Sequence, residues 1–279
     1  MKVAIFAGGL GTRLTEETAV RPKPMIEIGG KPILWHIMQI YSLHGLTEFV
    51  VLGGYKVEMV KQYFADYRIN NLDFTIDLGT GEMKLDGIQI AEPWKVTVLD
   101  TGANTMTWGR LKLARRMIGN QRFCVTYGDG VGDVDITSLI AFHEQMGMPM
   151  TLTAARPPGR FGVIDLSADK REVVAFREKD TRDSNFVNTG FFVCEPEIFD
   201  LIRDDNQEWD QEPMQDLVKM GKLAAYVHTG FWQSMDTLRD KAVLEASNLA
   251  GAPWLRRRQD PVPNRLDKPE LKLVSRVGE

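Results

Sequence analysis

The sequence predicts an α/β fold of the Rossmann-like kind, with a mixed, mainly parallel sheet flanked by helices. Two observations support this prediction. Strand-like and helix-like segments alternate through the first half of the chain, which favours parallel strands joined by crossover helices. The first apolar segment, residues 3–7, runs directly into the string Gly8-Gly9-Leu10-Gly11. Glycine-rich turns after a first strand are typical of the ligand-binding end of parallel sheets.

Apolar periodicity places the individual elements. Strands are predicted over residues 3–7, 48–52, 123–127, 150–155, 161–166, 173–176, 187–193 and 223–227. Helices are predicted over residues 33–44, 57–67, 111–118, 136–146, 198–204, 213–220 and 238–249. Residues 72–99 contain short extended pieces broken by glycines and are expected to form a small β-rich excursion. We expect one domain over 1–255 and a polar tail or arm over 256–279, opened by Arg256-Arg257-Arg258.

Composition limits the class of protein. Of the 279 residues 43% are hydrophobic, and the sequence has no apolar run near the roughly 20 residues needed to cross a bilayer. A net charge of -4 gives no general attraction to nucleic acid or to anionic lipid. Only two cysteines are present, Cys124 and Cys194, both in apolar segments. We therefore expect a cytoplasmic protein with buried free thiols and neither membrane nor nucleic acid among its partners.

The glycine-rich string predicts a cradle for a triphosphate. Glycines let successive backbone N–H groups converge on phosphate oxygens, while Arg13 and Lys23 add cations that a polyanion needs. A simple turn is the alternative. The glycines match neither the dinucleotide spacing nor the P-loop, so a nicotinamide dehydrogenase is disfavoured. The cradle residues are Ala7, Gly8, Gly9, Leu10, Gly11 and Thr12.

Two aspartates are candidate metal ligands. Asp129 lies between Gly128 and Gly130, directly after a strand that is predicted to be buried, and Asp236 lies where an extended segment meets a helix. Each has a structural alternative, since Asp129 could be a turn residue and Asp236 a helix N-cap. Together they could share one Mg²⁺ with phosphate oxygens. His36 has no metal-ligand partner at a suitable spacing and is expected to be solvated or at the edge of the core.

These strings, together with Pro22-Lys23-Pro24-Met25 and Gly29-Gly30-Lys31-Pro32, resemble the sugar-1-phosphate nucleotidyltransferases. The resemblance extends from residue 1 to about 254 and implies the nucleotide-diphospho-sugar transferase fold. Within the family, one branch is especially similar, the glucose-1-phosphate cytidylyltransferases. The segments that resemble it are residues 92–94, 100–102, 109–110, 157–162 and 235–241.

The resemblance implies an enzyme that joins CTP to α-D-glucose 1-phosphate in the presence of Mg²⁺, releasing pyrophosphate. It implies roles for Arg13, Lys23 and Lys179 in catalysis and for Asp129 and Asp236 in metal binding. Nucleotide contacts are implied for the cradle and for Thr105, Arg110 and Gly128, and sugar contacts for Gly162, Glu178 and Asn188. Asp180 replaces the proline that commonly follows the lysine, which makes the sugar side depart from the family pattern.

Several alternatives remain open at this point. Another phosphorylated acceptor or another nucleoside triphosphate would need the same chemistry, and a non-catalytic sensor of sugar nucleotides would keep the fold. Arg110 could be an ordinary charge on a helix face. We expect a homo-oligomer, with apolar or aromatic residues of the excursion and near Trp254 supplying the contact. The tail could dock on a neighbouring subunit or be disordered.

Overall fold

The computed structural model of the chain describes residues 1–9, 11, 14–86, 92–157, 163–166, 173–177, 185–202, 209 and 212–256. In these residues the strands are β1 (Lys2–Ala7), β2 (Glu27–Ile28), β3 (Lys31–Pro32), β4 (Glu48–Gly53), β5 (Asp73–Ile76), β6 (Met83–Asp86), β7 (Lys95–Asp100), β8 (Phe123–Tyr127), β9 (Gly130–Gly132), β10 (Met150–Ala155), β11 (Val163–Leu166), β12 (Val173–Arg177), β13 (Val187–Cys194), β14 (Leu223–His228) and β15 (Trp232–Ser234). The α-helices are α1 (Thr15–Thr18), α2 (Ile33–Leu43), α3 (Val57–Ala65), α4 (Tyr67–Asn71), α5 (Thr107–Ile118), α6 (Ile136–Met146), α7 (Glu212–Lys219) and α8 (Leu238–Leu249). Short 3₁₀ helices occur at Lys23–Met25, Pro196–Leu201 and Pro253–Leu255.

Seven strands form the central sheet, in the order β14-β10-β13-β8-β1-β4-β7. β1 pairs in parallel with β4 and β8, β4 with β7, and β10 with β14. β13 alone is antiparallel to its neighbours β8 and β10. The sheet is therefore mixed and mainly parallel, which confirms the predicted fold class. Four antiparallel pairs lie outside it, namely β2–β3, β5–β6, β9–β15 and β11–β12.

Helices cover both faces of this sheet, which explains why β1 is a continuous apolar run. Val3 and Ile5 pack on the face that α2 covers, whereas Ala4 and Phe6 pack on the face of α5. The two cysteines belong to opposite faces in the same way, and both thiols are buried. Burial raises the pKa of Cys124 to about 12.

The register of the parallel strands positions the site. Ala7 pairs with Gly53, Gly53 pairs with Asp100, and Phe6 pairs with Tyr127. The carboxyl ends of β1, β4, β7 and β8 are therefore level with one another. Every loop that leaves these ends emerges at one edge of the sheet, which is where open α/β sheets bind ligands.

The β-rich excursion is smaller than predicted. β7 was assigned to it but is an edge strand of the central sheet, paired with β4. Its alternating residues are apolar, and Val96 and Val98 pack on one face of the sheet while Leu99 packs on the other. In the described residues the excursion consists of the β5–β6 hairpin, which is separate from the central sheet. Residues 87–91 lie outside the described part of the chain.

Several helix boundaries also differ from the prediction. α5 begins four residues earlier than expected, because the buried Trp108 belongs to its apolar face. The helix predicted over 57–67 ends at Ala65, and α4 follows after Asp66. The helix predicted over 198–204 is instead a 3₁₀ helix, Pro196–Leu201. None of the helices in the described ranges combines the length and apolarity needed to span a membrane.

The C-terminal end of the described chain is part of the core. Trp254 is 1% exposed, and its indole Nε1 donates to Nδ1 of His36 at 3.1 Å. The Nε2 atom of His36 lies 2.8 Å from the carbonyl oxygen of Ile28, so His36 is a hydrogen-bonded core residue rather than a solvated one. The ring of Trp254 is covered by this chain, so a contact between copies near this position would have to use its neighbours rather than the ring itself.

Candidate active site at the carboxyl edge of the sheet

A cavity of about 630 Å³ opens where β1, β7 and β8 end. Its walls come from the loop after β1, from the turn that carries Lys23, from the segment before α5 and from the turn after β8. Of the residues predicted from the sequence, the structure brings together here Ala7, Gly8, Gly9, Gly11, Lys23, Thr105, Arg110, Gly128 and Asp129. Leu10, Thr12, Arg13, Gly162, Glu178 and Lys179 lie outside the described residues.

Two of the predicted glycines are required by close contacts. A Cβ atom on Gly8 would lie 2.2 Å from Cζ of Arg110, and one on Gly128 would lie 2.4 Å from the carbonyl oxygen of Phe6. Neither neighbour is the free end of a mobile side chain, because Arg110 is buried and Phe6 contributes backbone. A larger residue at either position would push the loops after β1 and β8 away from the cavity wall.

Arg110 connects the loops that form the cavity wall. Its guanidinium donates to the carbonyl oxygens of Gly53, Gly102, Gly8 and Ala103 and to the hydroxyl of Thr101, at distances from 2.6 to 3.3 Å. Arg110 is 4% exposed, so it is not the solvated helix-face charge considered as an alternative. Burial lowers the pKa of the guanidinium, and the charge of Asp100 opposes this shift. An arginine keeps its charge even so, and a fixed cation therefore lies behind the cavity wall.

Thr101 and Thr105 reinforce the same wall. The Thr101 hydroxyl donates to the carbonyl oxygen of Gly53 at 2.5 Å, and the Thr105 hydroxyl donates to the carbonyl oxygen of Thr101, also at 2.5 Å. Thr105 thus lines the cavity and also closes the turn that leads into α5. Thr101 was not singled out from the sequence, since its role depends on Arg110 reaching it from the following helix.

Lys23 occupies a rigid turn on the opposite wall. Pro22 directly precedes the 3₁₀ helix Lys23–Met25, and Pro24 is its second residue. The backbone at Lys23 therefore has little freedom. Its ammonium Nζ donates to Oδ2 of Asp129 at 2.7 Å and to Oδ1 of Asp236 at 2.8 Å. Burial opposes protonation of Lys23, but the charges and hydrogen bonds of the two carboxylates outweigh it, and the pKa of Lys23 is raised.

A short strand pair brings the two aspartates together across the sequence. β9 follows Asp129 directly, and it pairs with β15, which ends two residues before Asp236. The backbone N–H of Met235 donates to the carbonyl oxygen of Asp129 at 2.8 Å. Neither β9 nor β15 was predicted as a strand, since each has only three residues, and the sequence alone gave no contact between these segments.

Asp236 is not the N-cap of the helix that follows. That position belongs to Thr237, which forms a reciprocal capping box with Asp240. The carboxylate of Asp236 is thereby left to face Lys23, and the structural alternative considered for it is wrong. The side chains of Asp129 and Asp236 are 31% and 29% exposed. Asp129 lines the cavity, whereas Asp236 lies beside it, in contact with the lining residue Lys23.

The two carboxylates form a donor set suited to Mg²⁺. This ion is commonly bound in proteins by one or two carboxylates together with substrate phosphates and water. Among the described residues no group of three or more His, Cys, Asp or Glu side chains is arranged to hold a metal. Asp129 and Asp236 fit a magnesium site whose remaining ligands come from the phosphates of a nucleotide and from water.

Trp209 lies in the wall of the cavity and Asn188 lies behind a wall residue. Trp209 lines the cavity, with its ring centroid 4.4 Å from that of Trp108 and 5.4 Å from that of Phe6. A single tryptophan among polar residues gave no signal in the sequence. Asn188, predicted on the sugar side, does not line this cavity, but its Nδ2 atom donates to the hydroxyl of Tyr127, a lining residue, at 3.4 Å.

Solved structures share this architecture. The crystal structure of HddC from Yersinia pseudotuberculosis superposes with a TM-score of 0.63 at 23% identity and covers 88% of this chain and 99% of that one. A UDP-glucose pyrophosphorylase complexed with UDP-glucose also has a TM-score of 0.63, at 15% identity, and covers 89% of this chain and 98% of its own. At these identities the likeness concerns the fold, and it confirms the expected nucleotide-diphospho-sugar transferase fold.

Relatives found by sequence share a higher identity with this chain than these solved structures do. The glucose-1-phosphate cytidylyltransferase of Salmonella typhi is 50% identical over 256 residues, which cover 91% of this chain and 98% of the relative. A probable glucose-1-phosphate cytidylyltransferase of Bacillus subtilis (strain 168) is 42% identical over 241 residues, covering 86% and 93%. The family model described as nucleotidyl transferase matches residues 2–249. The matched region includes the cavity, Lys23 and the aspartate pair. This chain belongs to the nucleotidyl transferase family.

Proposed function

We propose that this chain condenses CTP with α-D-glucose 1-phosphate to give CDP-glucose and pyrophosphate. The observation that carries the choice of substrates is the 50% identity, along 98% of its length, to a relative named for this reaction. The geometry supports the reaction type, because one cavity unites a glycine-rich loop, Lys23 and Asp129, and Lys23 also contacts Asp236. These are the groups that a transfer between two phosphate anions requires.

The nucleotide would bind between the loop after β1 and the turn after β8. Backbone N–H groups of the glycine-rich loop would face the triphosphate, with Arg13 as a further cation proposed from the resemblance alone. Thr105, Arg110 and Gly128 would bound the remainder of the nucleotide. Arg110 would act there through the loops it fixes, since its N–H groups already donate to backbone carbonyls and to Thr101.

The acceptor side of the proposal rests on fewer described residues. Lys179 would hold the phosphate of the sugar, and Glu178, Gly162 and Asn188 would bound its ring. Only Asn188 is in a described position, at the second residue of β13. Its Oδ1 atom accepts from the backbone N–H of Gly190 at 3.0 Å, so its amide has a fixed orientation beside Tyr127.

The chemistry is a single in-line displacement. A phosphate oxygen of the sugar 1-phosphate attacks the α-phosphorus of CTP, and the bond from that phosphorus to the oxygen bridging the β-phosphate breaks. The electron pair of this bond leaves with pyrophosphate. The nucleophile is already an anion, so the reaction needs no proton transfer and no general base. The cations of the chain reduce repulsion between the reacting anions and stabilise the charge on the leaving group.

Asp129 and Asp236 would hold Mg²⁺ in this proposal. When bound, the ion supplies a Lewis acid and a template for nucleotide phosphate oxygens. Lys23 lies at the same place and would contribute its charge to the triphosphate. Its backbone is fixed by the neighbouring prolines, and its flexible methylene chain suits a group that must follow charge as it moves from substrate to leaving group.

A pyrophosphate-release screen tests the proposal. CTP, UTP, GTP, ATP and dTTP are each offered with glucose 1-phosphate, mannose 1-phosphate and galactose 1-phosphate, and products are identified by ³¹P NMR. The expected result is that CTP with glucose 1-phosphate gives the largest kcat/KM, and that D129N lowers this value at a fixed, subsaturating Mg²⁺ concentration. A larger value for another pair would reassign the substrates, whereas nucleotide binding without turnover on any acceptor would favour a sensor.

A further inference from the structure

The ammonium of Lys23 lies between the two carboxylates that would hold a divalent ion. Nζ contacts one oxygen of Asp129 at 2.7 Å and one of Asp236 at 2.8 Å, so these two oxygens lie no farther apart than the sum of those distances. Mg²⁺ is commonly held by one or two carboxylates, so an ion held by Asp129 and Asp236 would have to approach the carboxylates that the ammonium already contacts. Two cations in contact there would repel each other strongly in a partly buried setting.

Charge balance points the same way. Two carboxylates and one ammonium carry a net charge of -1, and the Lys23 side chain is only 13% exposed, so its ammonium is compensated mainly by these two carboxylates. Adding a divalent ion while the ammonium stays in place would leave an uncompensated positive group. A polyphosphate in the adjoining cavity would supply the missing negative charge and a new partner for the ammonium.

The side chain of Lys23 is suited to this change of partner. Its backbone is fixed by the neighbouring prolines, but four methylene groups separate the ammonium from that backbone. Lys23 also lines the cavity bounded by Gly8, Gly9 and Gly11, where the triphosphate is proposed to bind. The ammonium can therefore turn from the carboxylates to a phosphate without movement of the main chain.

We infer that Lys23 is an internal competitor of the divalent ion, and that a nucleotide phosphate must draw its ammonium away before the ion binds between Asp129 and Asp236. The inference rests on the proposed function for the location of the metal and the triphosphate. It adds an order of events to that function. Metal affinity is low until a nucleotide arrives, and the site assembles only around bound substrate.

Binding of Mn²⁺ alone to the nucleotide-free protein tests this order. The electron paramagnetic resonance signal of free Mn²⁺ is followed during titration of the wild type, K23M and K23Q. Both variants remove the ammonium, and both should bind Mn²⁺ about tenfold or more tightly than the wild type. Adding D129N to either variant should abolish the gain, because the gained site includes that carboxylate. Circular dichroism checks that each variant is folded.

K241M is the matched control for loss of one positive charge. Lys241 lies in the first turn of α8, close behind Asp236 in sequence, but its ammonium pairs with Glu17. K241M should leave Mn²⁺ affinity unchanged. An unchanged or weaker affinity in both K23M and K23Q would overturn the inference, and so would an equal gain in K241M, which would indicate general electrostatics. The wild type in the pyrophosphate screen separates these results from failure of the proposed function.

Discussion

The guanidinium of Arg110 lies against the backbone of Gly8. Nη2 donates to the Gly8 carbonyl oxygen at 3.1 Å, and a Cβ atom at Gly8 would come within 2.2 Å of Cζ. The glycine-rich loop and α5 are thus fitted to each other, although the two residues are far apart in sequence. Because Arg110 also donates to Gly53, Gly102 and Ala103, it fixes the loops after three strands at once.

The first prediction is that R110K weakens nucleotide binding. A lysine ammonium cannot reach all of these acceptors, and each lost hydrogen bond from a charged donor is worth about 1.5–3 kcal/mol. The KM for CTP should rise about tenfold or more, with a smaller change in kcat. G8A should give the same pattern, and the double variant should be less than additive, since both changes disturb one contact.

R115K is the control for this prediction. Arg115 lies on the same helix, but its guanidinium is half-exposed and pairs with Asp200 at 3.2 Å on the surface. Its replacement by lysine should leave the KM for CTP unchanged. If R110K also keeps the wild-type KM, the loops are held by other contacts and the positioning role fails.

The second prediction concerns turnover by K23A. The charge of Lys23 is proposed to stabilise the transition state, and loss of such a preorganised group costs about 2–4 kcal/mol in kcat/KM. We expect that loss, measured by steady-state pyrophosphate release at saturating metal, with an unchanged circular dichroism spectrum. Turnover near the wild-type value would remove Lys23 from the mechanism.

The third prediction is that D129N and D236N fail in the same way. The two carboxylates face one ammonium and would bind one ion, so each variant should require a higher Mg²⁺ concentration for half-maximal turnover. The double variant should lose less than the sum of the single losses in free energy. Additive losses would indicate two separate roles, and an unchanged Mg²⁺ requirement in one variant would exclude that residue as a ligand.

The fourth prediction concerns stability against pH. Burial lowers the pKa of His36 and of His143 below the ordinary value of 6.5, against the opposing influence of their hydrogen bonds and neighbouring carboxylates. The unfolded chain therefore binds these protons at a higher pH than the folded chain does. The stability that depends on neutral histidines is complete above about pH 6.5 and is lost as the pH falls through the folded pKa values.

Urea unfolding at about pH 7.5 and about pH 5.5 measures this loss. The free energy of unfolding should be lower at the acidic pH, and H36Q should show a smaller difference between the two, because one of the two groups no longer titrates. Equal pH dependence in the wild type and H36Q would mean that protonation of His36 does not contribute. Protonation of His36 would remove the acceptor for the hydrogen bond from the Trp254 indole to Nδ1.

The sequence was sufficient for six of the seven strands of the central sheet and for most of the cavity. β1, β8 and α6 were predicted closely because their apolar residues follow a single period, and the glycines and Lys23 were found because they stand in one short string. β7 was misassigned because an edge strand with polar neighbours has the same local pattern as an irregular extended segment. Tertiary pairing with β4 decides its place.

Contacts between distant segments could not be predicted in this way. The meeting of Asp129 and Asp236 depends on the three-residue strands β9 and β15, which are too short to give a periodic signal. The burial of Arg110 depends on carbonyl oxygens, which every residue carries and no sequence pattern marks. Trp209 was missed for a similar reason, because its partners Trp108 and Phe6 come from other elements.

An exposed apolar hairpin bears on the expected homo-oligomer. In β5 and β6 the side chains of Phe74, Ile76 and Met83 are each at least 40% exposed, and Leu78 between the strands is 87% exposed. Contiguous apolar side chains at the tip of a hairpin are typical of a contact with another chain. Of the two regions expected to supply the contact between copies, we favour this hairpin because its apolar side chains are the exposed ones.

The last prediction separates this hairpin from the C-terminal tail. Ending the chain after Arg256 keeps the buried Trp254 and the hydrogen bond from Arg256 to the carbonyl oxygen of Gly251. None of the proposed site residues lies beyond that point, so turnover should stay near the wild-type value. If the hairpin makes the contact, light scattering over a dilution series should give the same number of subunits for the truncated and full chains. F74S combined with I76S should lower that number in both. A smaller assembly after truncation alone would assign the contact to the tail, and lost turnover would mean that the tail reaches the active site.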